Sequence, residues 1–327
     1  MTTSTVSTQQ LKDWRRSVHQ GLLALYRPAP LTAVEWADQN FYLSSESSYH
    51  EGRWTTLHFQ VAILNAMGND EIRTVNVVKS ARLGYTKMLL AAAGYLLEHK
   101  KRNILTFSPT DTDAESFMKT HMDTTVRDVP VVLELAPWYG MKHRDNTLSA
   151  KRFANGKQVF VHGGKAARNY REKSVDVVIY DELAAFEQDI EKEGSPTMLG
   201  DRRLEGSTFP KSIRGSTPKV RGHCQIEAAA EESPHKLNFN MPCPHCGEEQ
   251  VLKWGGPEAS FGIKWDEGKP ETAFYLCEHN GCVIKQHELQ DESREYSVKD
   301  GVWVCSETGI WTRDGIDWFG ADHEPIP

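Results

Sequence analysis

Residues suited to holding a phosphate group follow a short apolar run, Val75–Val78. The β-branched residues of this run predict a strand, and a helix-like run from Met88 to Leu97 comes after the turn. A phosphate-binding loop between a strand and a helix requires inward-pointing backbone N–H groups, a cation and a hydroxyl for Mg²⁺. The turn contains residues for each part. Its candidate contact residues are Lys79, Ser80, Ala81, Arg82, Gly84, Tyr85, Thr86 and Lys87.

This loop departs from the usual phosphate-loop pattern, because its last glycine is followed by Tyr85 rather than by lysine. Thr86 stands where the pattern has its Mg²⁺-binding hydroxyl. The cation must therefore come from another position. Lys79 at the strand end is our first choice and Lys87 the second, while Arg82 points into or across the loop. Taken alone, the segment also fits an ordinary β-turn-α connection with solvated basic residues.

Two acids follow a second apolar run, Val177–Tyr180. At the exit of a parallel strand, Asp181 could hold Mg²⁺ directly or through water, and Glu182 could orient or deprotonate an attacking water. Open α/β sheets bind ligands at the carboxyl ends of their strands, so we expect the loop and the acid pair to face one crevice. The alternative is an acidic cap on the helix that follows.

Two hydroxyl residues, Ser216 and Thr217, come after a third short apolar stretch, within Arg214–Pro218. At the end of a strand, such hydroxyls could sense the γ-phosphate of a nucleotide. Ser-Thr-Pro is also common in plain turns, so this element indicates little when it is considered alone.

Strands and helices alternate along the first two thirds of the chain, which predicts βαβ units and a mostly parallel sheet with helices on both faces. The predicted strands are Val75–Val78, Asn103–Ser108, Lys157–His162, Val175–Tyr180 and Ser212–Gly215. The predicted helices are Lys87–His99 and Asp111–Asp128, the second with Asp111 as its N-cap. This fold class is α/β.

The composition of the chain changes along its length. We expect a flexible N-terminal arm at residues 1–30, an α/β core at 31–226 and an acidic, Cys-rich region at 227–327. Residues 141–221 hold 16 lysines and arginines against 11 acids, whereas residues 222–327 hold 8 against 20. A polyanion would therefore meet the middle third first. The sequence has no apolar run near the ~20 residues that span a membrane, and no apolar signal-peptide core at its start, which favours a cytosolic, reducing setting.

Four of the six cysteines form two pairs with metal-ligand spacing. Cys243 and Cys246 make a C-x₂-C pair, and Cys277 and Cys282 make a looser C-x₄-C pair. Two such pairs can meet in a tetrahedral zinc site, in which His279 could replace one thiolate. The alternatives are disulfides or free thiols. The expected role of zinc is structural, in a small zinc-ribbon-like module that lacks enough core to fold without it.

Taken together, three stretches resemble the ATPase motifs of phage terminase large subunits, most closely the lambda-like type. They are Lys79–Lys87, Val175–Phe186 and Ile213–Pro218. Further similar stretches are Glu46–Trp54, Ala136–Gly140 and Asn169–Asp176. The resemblance covers nearly the whole chain from about residue 31. It implies a P-loop ATPase core of the ASCE, RecA-like type, which couples ATP hydrolysis to the movement of DNA into a procapsid.

The resemblance extends to individual residues. Those that match the family's phosphate, metal, catalytic and coupling positions are Lys79, Gly84, Thr86, Asp181, Glu182, Ser216 and Thr217. Tyr49 and Gln60 match adenine contacts, since an aromatic face can stack on adenine and an amide can read its edge. Motor rings complete each site with an arginine from the next subunit, for which Arg171 is our first choice, then Arg168, with Arg82 as the competitor within the loop.

The resemblance further implies ATP and Mg²⁺ as ligands and the host cytoplasm as location, with no membrane association. The implied partners are double-stranded DNA, the terminase small subunit, the portal of the procapsid and further copies of the chain in a ring. Relatives carry a C-terminal endonuclease with acids around two metals. Because this chain stops at Pro327, soon after the Cys-rich region, we expect that nuclease to be missing. The alternatives are a helicase-like ATPase of another kind, or a non-catalytic zinc-containing adaptor that binds DNA or protein.

Overall fold

A six-stranded, mostly parallel sheet lies at the centre of the larger of two compact units, Thr32–Pro327. The computed structural model describes residues 7–25, 30–46, 51–171, 173–220, 222–256, 258–290 and 300–326. Met1–Leu31 form the smaller unit. No helix among the described residues combines the length and the apolar character that crossing a bilayer requires.

The helices are α1 (Thr8–Leu25), α2 (Ala33–Asn40), α3 (His58–Gly68), α4 (Tyr85–Glu98), α5 (Asp111–Phe117), α6 (Asp123–Asp128), α7 (Pro130–Leu133), α8 (Pro196–Asp201), α9 (Gln225–Glu231) and α10 (Gln286–Gln290). The strands are β1 (Tyr42–Leu43), β2 (Gly52–Arg53), β3 (Thr74–Val78), β4 (Ile104–Ser108), β5 (Ala150–Arg152), β6 (Gln158–Gly163), β7 (Val177–Asp181), β8 (Lys211–Ser216), β9 (Leu237–Pro242), β10 (Glu249–Val251), β11 (Gly262–Asp266), β12 (Lys269–Leu276), β13 (Val283–Ile284), β14 (Val302–Cys305), β15 (Trp311–Thr312), β16 (Trp318–Phe319) and β17 (Pro325–Ile326). Short 3₁₀ turns cover Ala167–Tyr170, Leu183–Ala185 and Arg202–Leu204.

The smaller unit contains α1, where the sequence predicted a flexible arm. Leu11, Trp14, Val18 and Leu22 are exposed and follow one another at intervals of three and four residues. This spacing places them on one face of a helix, which explains why a polar segment has helical structure.

The order of the central sheet is β3-β8-β7-β4-β6-β5. The first five strands pair in parallel, and the edge strand β5 pairs antiparallel with β6. The prediction of a mostly parallel α/β sheet is therefore confirmed. In the register of the three strands that matter for the site, Val77 of β3 is opposite Gly215 of β8, which is opposite Asp181 of β7. The carboxyl ends of these three strands consequently lie side by side.

Helix α4, which follows the predicted phosphate loop, is buried along most of its length. Gly94 lets α2 approach closely, because an added Cβ at this glycine would lie 2.6 Å from an atom of the Trp36 ring. The indole N–H of Trp36 donates to Glu98 at 2.8 Å, which ties α2 to the end of α4. The loop at the start of α4 thus rests on a fixed helix.

The predicted helix over Asp111–Asp128 is interrupted. A π-helical turn, Met118–Met122, separates α5 from α6. The prediction that Asp111 is the N-cap is wrong, because Thr110 has extended backbone angles and its hydroxyl accepts from the N–H of Asp113 at 3.1 Å. The Asp111 carboxylate instead accepts from the N–H of Gly163 at 3.2 Å, at the end of β6.

The C-terminal third is built from short strands. β10, β9, β14, β15, β16 and β17 form one antiparallel sheet, and β11, β12 and β13 form a smaller one. The larger sheet packs on α3 through two hydrogen bonds: the Trp303 indole donates to the Phe59 carbonyl at 3.2 Å, and the Asn65 amide to the Asp314 carbonyl at 2.9 Å. Helix α3 therefore contacts both β3 of the central sheet and the C-terminal sheet.

Replacing Gly94 with alanine tests the contact between α2 and α4. Alanine is the better helix former, but its methyl group would press on an indole that a hydrogen bond holds in place. We expect Gly94→Ala to lower the free energy of unfolding by about 1–2 kcal/mol, since overpacking outweighs the gain in helix propensity. Urea denaturation measures this change. Gly206→Ala, where the added methyl meets open space, is the control and should stay within about 0.5 kcal/mol of the parent. A more stable Gly94→Ala variant would contradict the packing described here.

Candidate functional site

The predicted phosphate loop spans the gap between β3 and α4 and is largely exposed, with Ser80, Ala81 and Arg82 open to solvent. Gly84 precedes the helix in the left-handed conformation, with φ +73°, which glycine adopts at little cost. No side chain among the described residues caps this helix start. The first N–H groups of α4 therefore have no side-chain acceptor at the N-cap, as is typical of a helix start that is open to an anion.

Gln60 supports this loop from beneath. Its side chain is buried, its Nε2 donates to the Leu83 carbonyl at 2.9 Å, and its Oε1 accepts from the Leu57 N–H at 3.1 Å. The amide predicted to read adenine thus has both polar atoms engaged with backbone. Tyr49, the other predicted adenine contact, lies outside the described residues.

Lys79 connects all three motif segments. Its ammonium group lies 2.7 Å from Glu182 Oε1 and donates to the Thr217 hydroxyl at 3.2 Å. Its backbone N–H donates to the carbonyl of Ser216 at 3.1 Å. The structure therefore brings together the front lysine, the second acid and the two hydroxyl residues that the sequence analysis selected, at the carboxyl edge of the sheet.

Asp181 ends β7 and is buried beside this ion pair. Its Oδ1 has no hydrogen-bond partner among the described residues. Burial, and next the negative charge of Glu182, raises the pKa of Asp181 to about 7. Because an unpaired buried carboxylate is costly, the environment favours either a proton or a cation on this side chain. A divalent cation fits the donor chemistry, and Thr86, the second residue of α4, offers the hydroxyl expected beside it.

Glu182 has a left-handed backbone conformation, with φ +56°, which is unusual for a residue other than glycine. Its second carboxylate oxygen accepts from the Ser216 hydroxyl at 3.1 Å, and that hydroxyl accepts from the N–H of Ala184 at 3.1 Å. A sparsely populated backbone conformation of this kind costs about 1–3 kcal/mol, and the surrounding structure must compensate for it. The turn after β7 thus orients the Glu182 carboxylate toward Lys79 and β8.

The candidate arginines occupy different positions. Arg82 lies in the loop itself, with φ +63°. Arg168 is exposed in the 3₁₀ turn before β7, and Arg171 forms an ion pair with Glu193. The N–H of Ala167 in the same segment donates to another acid of the loop after β7. Among the described residues, neither Arg168 nor Arg171 forms an ion pair with Asp181 or Glu182.

Lys87, our second choice for the cation, is half-buried one turn into α4. Its ammonium nitrogen lies 3.4 Å from His121 Nδ1, on the π-helical turn. Burial lowers the pKa of Lys87 to about 8, while burial and then the Lys87 charge lower the pKa of His121 to about 4. No sequence signal pointed to His121. The contact joins the helix behind the loop to an irregular turn of a kind that is frequent at functional sites.

The four selected cysteines also come together. The sulfur atoms of Cys243, Cys246 and Cys282 all lie within 4.8 Å of one another, and Cys277 Sγ is 3.9 Å from Cys246 Sγ. His279, considered as a substitute ligand, contacts the carbonyl of Glu249 at 3.0 Å. Three of these sulfur atoms are close enough together to share one metal ion, and the fourth lies beside one of them.

Comparison with known proteins places this arrangement in a family. A family model described as "Phage terminase large subunit gpA, ATPase domain" matches residues 48–303. The chain belongs to this terminase family. The terminase large subunit of Escherichia phage lambda is 62% identical over 321 residues, which is 98% of this chain and 49% of the relative. That of Enterobacteria phage P21 is 61% identical over 311 residues, 95% of this chain and 47% of the relative. This terminase chain therefore spans about half the length of these relatives.

Solved structures of two other terminases align with parts of the chain. The HK97 bacteriophage large terminase covers 61% of this chain and 40% of its own, with 12% identity and a TM-score of 0.46. The ATPase domain of the Thermus phage P74-26 large terminase covers 45% of this chain and 60% of its own, with 18% identity and a TM-score of 0.33.

Proposed function

We propose that this terminase chain hydrolyses ATP and uses the energy to move double-stranded DNA into a procapsid. The observation that carries the proposal is the convergence of Lys79, Glu182 and Thr217 within hydrogen-bonding distance, beside the partnerless buried oxygen of Asp181. A cation, a candidate base and a carboxylate oxygen suited to binding a metal, at the carboxyl ends of parallel strands, are the parts that phosphoryl transfer to water requires.

The phosphates of ATP are bound by Lys79 and by the N–H groups at the start of α4. The Lys79 ammonium is already held at this edge by Glu182. When a phosphate group binds, Lys79 exchanges one anionic partner, the Glu182 carboxylate, for another. The N-terminal end of a helix adds partial positive charge. We assign Lys79 the role that the usual pattern gives to the lysine inside the loop, and the P-loop, ASCE-type classification follows from this assignment.

Thr86 and Asp181 are the residues that would hold Mg²⁺. The partnerless Asp181 oxygen and the raised pKa of this carboxyl both indicate a group that is stabilised by a cation. When bound, Mg²⁺ neutralises charge on the phosphates.

Glu182 orients and deprotonates the attacking water. Its carboxylate is 44% exposed, so water can reach it, while Ser216 and Lys79 hold its two oxygens. Displacement of Lys79 by the phosphates would release one of these oxygens to accept the proton. Ser216 donates to the base and Thr217 accepts from the lysine, which supports the coupling role that we assign to this segment.

Adenine recognition involves Tyr49 and Gln60 in unequal ways. We retain Tyr49 as a stacking partner. Gln60 braces the loop through Leu83, so it supports nucleotide binding through the loop backbone as well as through any contact of its own.

The partners that we propose are double-stranded DNA, the terminase small subunit, the portal of the procapsid and further copies of this chain in a ring, in the host cytoplasm. The net positive charge of residues 141–221 supports contact with phosphate groups, which do not depend on base sequence. We also propose that Cys243, Cys246, Cys277 and Cys282 bind a structural Zn²⁺ that stabilises the region around β9 to β13.

Removing the base or the cation tests the hydrolysis mechanism. We expect Glu182→Gln and Lys79→Ala each to lower kcat by about 100-fold or more, because one removes proton transfer and the other charge stabilisation. Steady-state ATPase rates, measured with Mg²⁺, duplex DNA and small subunit present, give the answer. Glu271→Gln and Lys269→Ala, on exposed positions of β12, are the matched controls. A parent chain without Mg²⁺-dependent hydrolysis under these conditions would favour the non-catalytic adaptor, and strand separation of the duplex would favour a helicase.

Mixing two inactive variants tests the arginine from the neighbouring subunit. If Arg171 completes the next site in a ring, Arg171→Ala and Glu182→Gln should each be inactive. Their mixture should recover a fraction of the parent rate, because some interfaces combine an intact Arg171 with an intact Glu182. The DNA-stimulated ATPase rate of mixed rings measures this. Arg168→Ala and Arg82→Ala repeat the test for the two competitors. Full activity of Arg171→Ala alone would exclude it.

Metal analysis tests the cysteine site. We expect the purified chain to contain about one zinc ion per molecule, and Cys246→Ser to lose it together with part of its thermal stability. Cys224→Ser, a buried cysteine outside the cluster, is the control and should retain the metal. Elemental analysis and thermal unfolding with and without a chelator supply the readouts. A metal-free parent chain with four freely titrating thiols would refute the zinc site.

A further inference from the structure

Tyr85 occupies the position in which the usual phosphate-loop pattern has lysine. It is the first residue of α4 and only 3% of its surface is exposed. A buried aromatic ring therefore occupies the space from which that lysine would otherwise reach the phosphates. Any role for this ring must be explained by what it touches.

One side of the ring fits against Gly215 of β8. A Cβ built on Gly215 would overlap the ring carbon Cζ and the hydroxyl oxygen of Tyr85. Gly215 pairs in register with Val77 on one side and with Asp181 on the other. The ring thus lies where the carboxyl ends of β3, β8 and β7 meet, and only a residue without a side chain can stand beneath it.

The Lys79 ammonium lies above the same ring, 5.4 Å from its centroid. This distance is within the range of a cation–π interaction, which strengthens when the pair is shielded from water. The Lys79 side chain is 9% exposed, and its other contacts are Glu182, directly after β7, and Thr217, two residues after Gly215. Of these contacts of Lys79, the Tyr85 ring is therefore the one that comes from the loop and helix α4.

We infer that Tyr85 is a positioning residue: wedged against Gly215, its ring holds the Lys79 ammonium at the phosphate site and links the position of β8 to that of the lysine. The inference rests on the proposed ATPase function. The inference explains how Lys79, at the front of the loop, can replace the lysine that the usual pattern has inside the loop. Tyr85 stands at the position of that missing lysine, and its ring is the surface on which Lys79 lies. The inference also assigns Gly215 a purpose that the neighbouring hydroxyl residues did not suggest.

Removing the ring tests the inference. Tyr85→Leu should lower kcat by about tenfold or more, because small displacements of a phosphate-binding group are costly. Tyr85→Phe should recover most of that loss, since it keeps the ring. Gly215→Ala should reproduce the loss without altering Tyr85, because the added methyl displaces the ring. It supplies the test if Tyr85→Leu folds poorly. Gly206→Ala is the matched glycine control, and thermal unfolding reports folding in every variant.

Two double variants separate positioning from general stability. Leucine leaves room for the alanine methyl, so Tyr85→Leu combined with Gly215→Ala should be no slower than Tyr85→Leu alone. In a Lys79→Ala background, Tyr85→Leu should change kcat by less than about twofold, because its effect acts through Lys79. A role confined to stability would add its full cost in that background.

The outcomes distinguish the inference from the function on which it rests. Parent-like kcat in Tyr85→Leu or Gly215→Ala, in a chain whose activity still depends on Glu182, would overturn the inference and leave the ATPase proposal intact. Additive losses in both double variants would also overturn it. A parent chain without Mg²⁺-dependent hydrolysis would overturn both.

Discussion

The parallel register of β3, β8 and β7 is the constraint on which the rest of the site depends. It aligns Val77, Gly215 and Asp181 in one row, so the residues that follow each strand leave the sheet together. Glu182 of the acid pair and Thr217 of the hydroxyl segment lie 103 and 138 residues after Lys79 of the basic loop in the chain. A shift of one residue in any of the three strands would turn its functional side chain to the other face of the sheet.

Beside this row, the positive charge of Lys79 and the negative charge of Glu182 compensate each other. The Lys79 ammonium is nearly buried, and Glu182 supplies the negative charge that makes its burial tolerable. Removing one partner of such a pair leaves an uncompensated charge, which is why buried pairs cost more to break than they contribute. Asp181 differs, because its Oδ1 has no hydrogen-bond partner among the described residues. The charge of the lysine is therefore compensated by an acid, whereas burial and the neighbouring Glu182 raise the pKa of Asp181.

Sequence reasoning recovered what depends on local pattern. The apolar runs before Lys79 and Asp181 identified two strands, the partly exposed β3 and the buried β7, because β-branched residues between turn signals leave few alternatives. The cysteine spacing likewise identified residues that come together in space. Local pattern failed where two adjacent residues could both serve as the N-cap of a helix. Thr110 rather than Asp111 caps α5, and nothing in the local sequence shows which of the two residues is the N-cap. It also failed in the C-terminal third, where four of the strands, β13, β15, β16 and β17, have only two residues and are too short to show alternation.

Other contacts between distant segments could not be predicted from the sequence. The position of Gln60 beneath Leu83 is a property of how α3 packs, and one sequence contains no record of that packing. The same holds for Lys87 beside His121 and for the ring of Tyr85 over a glycine. The sequence shows which residue types stand at these positions, but it does not show which residues they contact.

Helix α3 contacts two separate parts of the molecule, the phosphate loop and the C-terminal sheet. The side chain of Gln60, in the first turn of α3, donates a hydrogen bond to the Leu83 carbonyl of the phosphate loop. Farther along, Ala62 lies against Gly315 and Asn65 donates to Asp314, both in the C-terminal sheet. A helix of 11 residues is a stiff rod of about 16 Å. The Leu83 carbonyl and the turn between β15 and β16, which contains Asp314 and Gly315, therefore take their positions from the same helix.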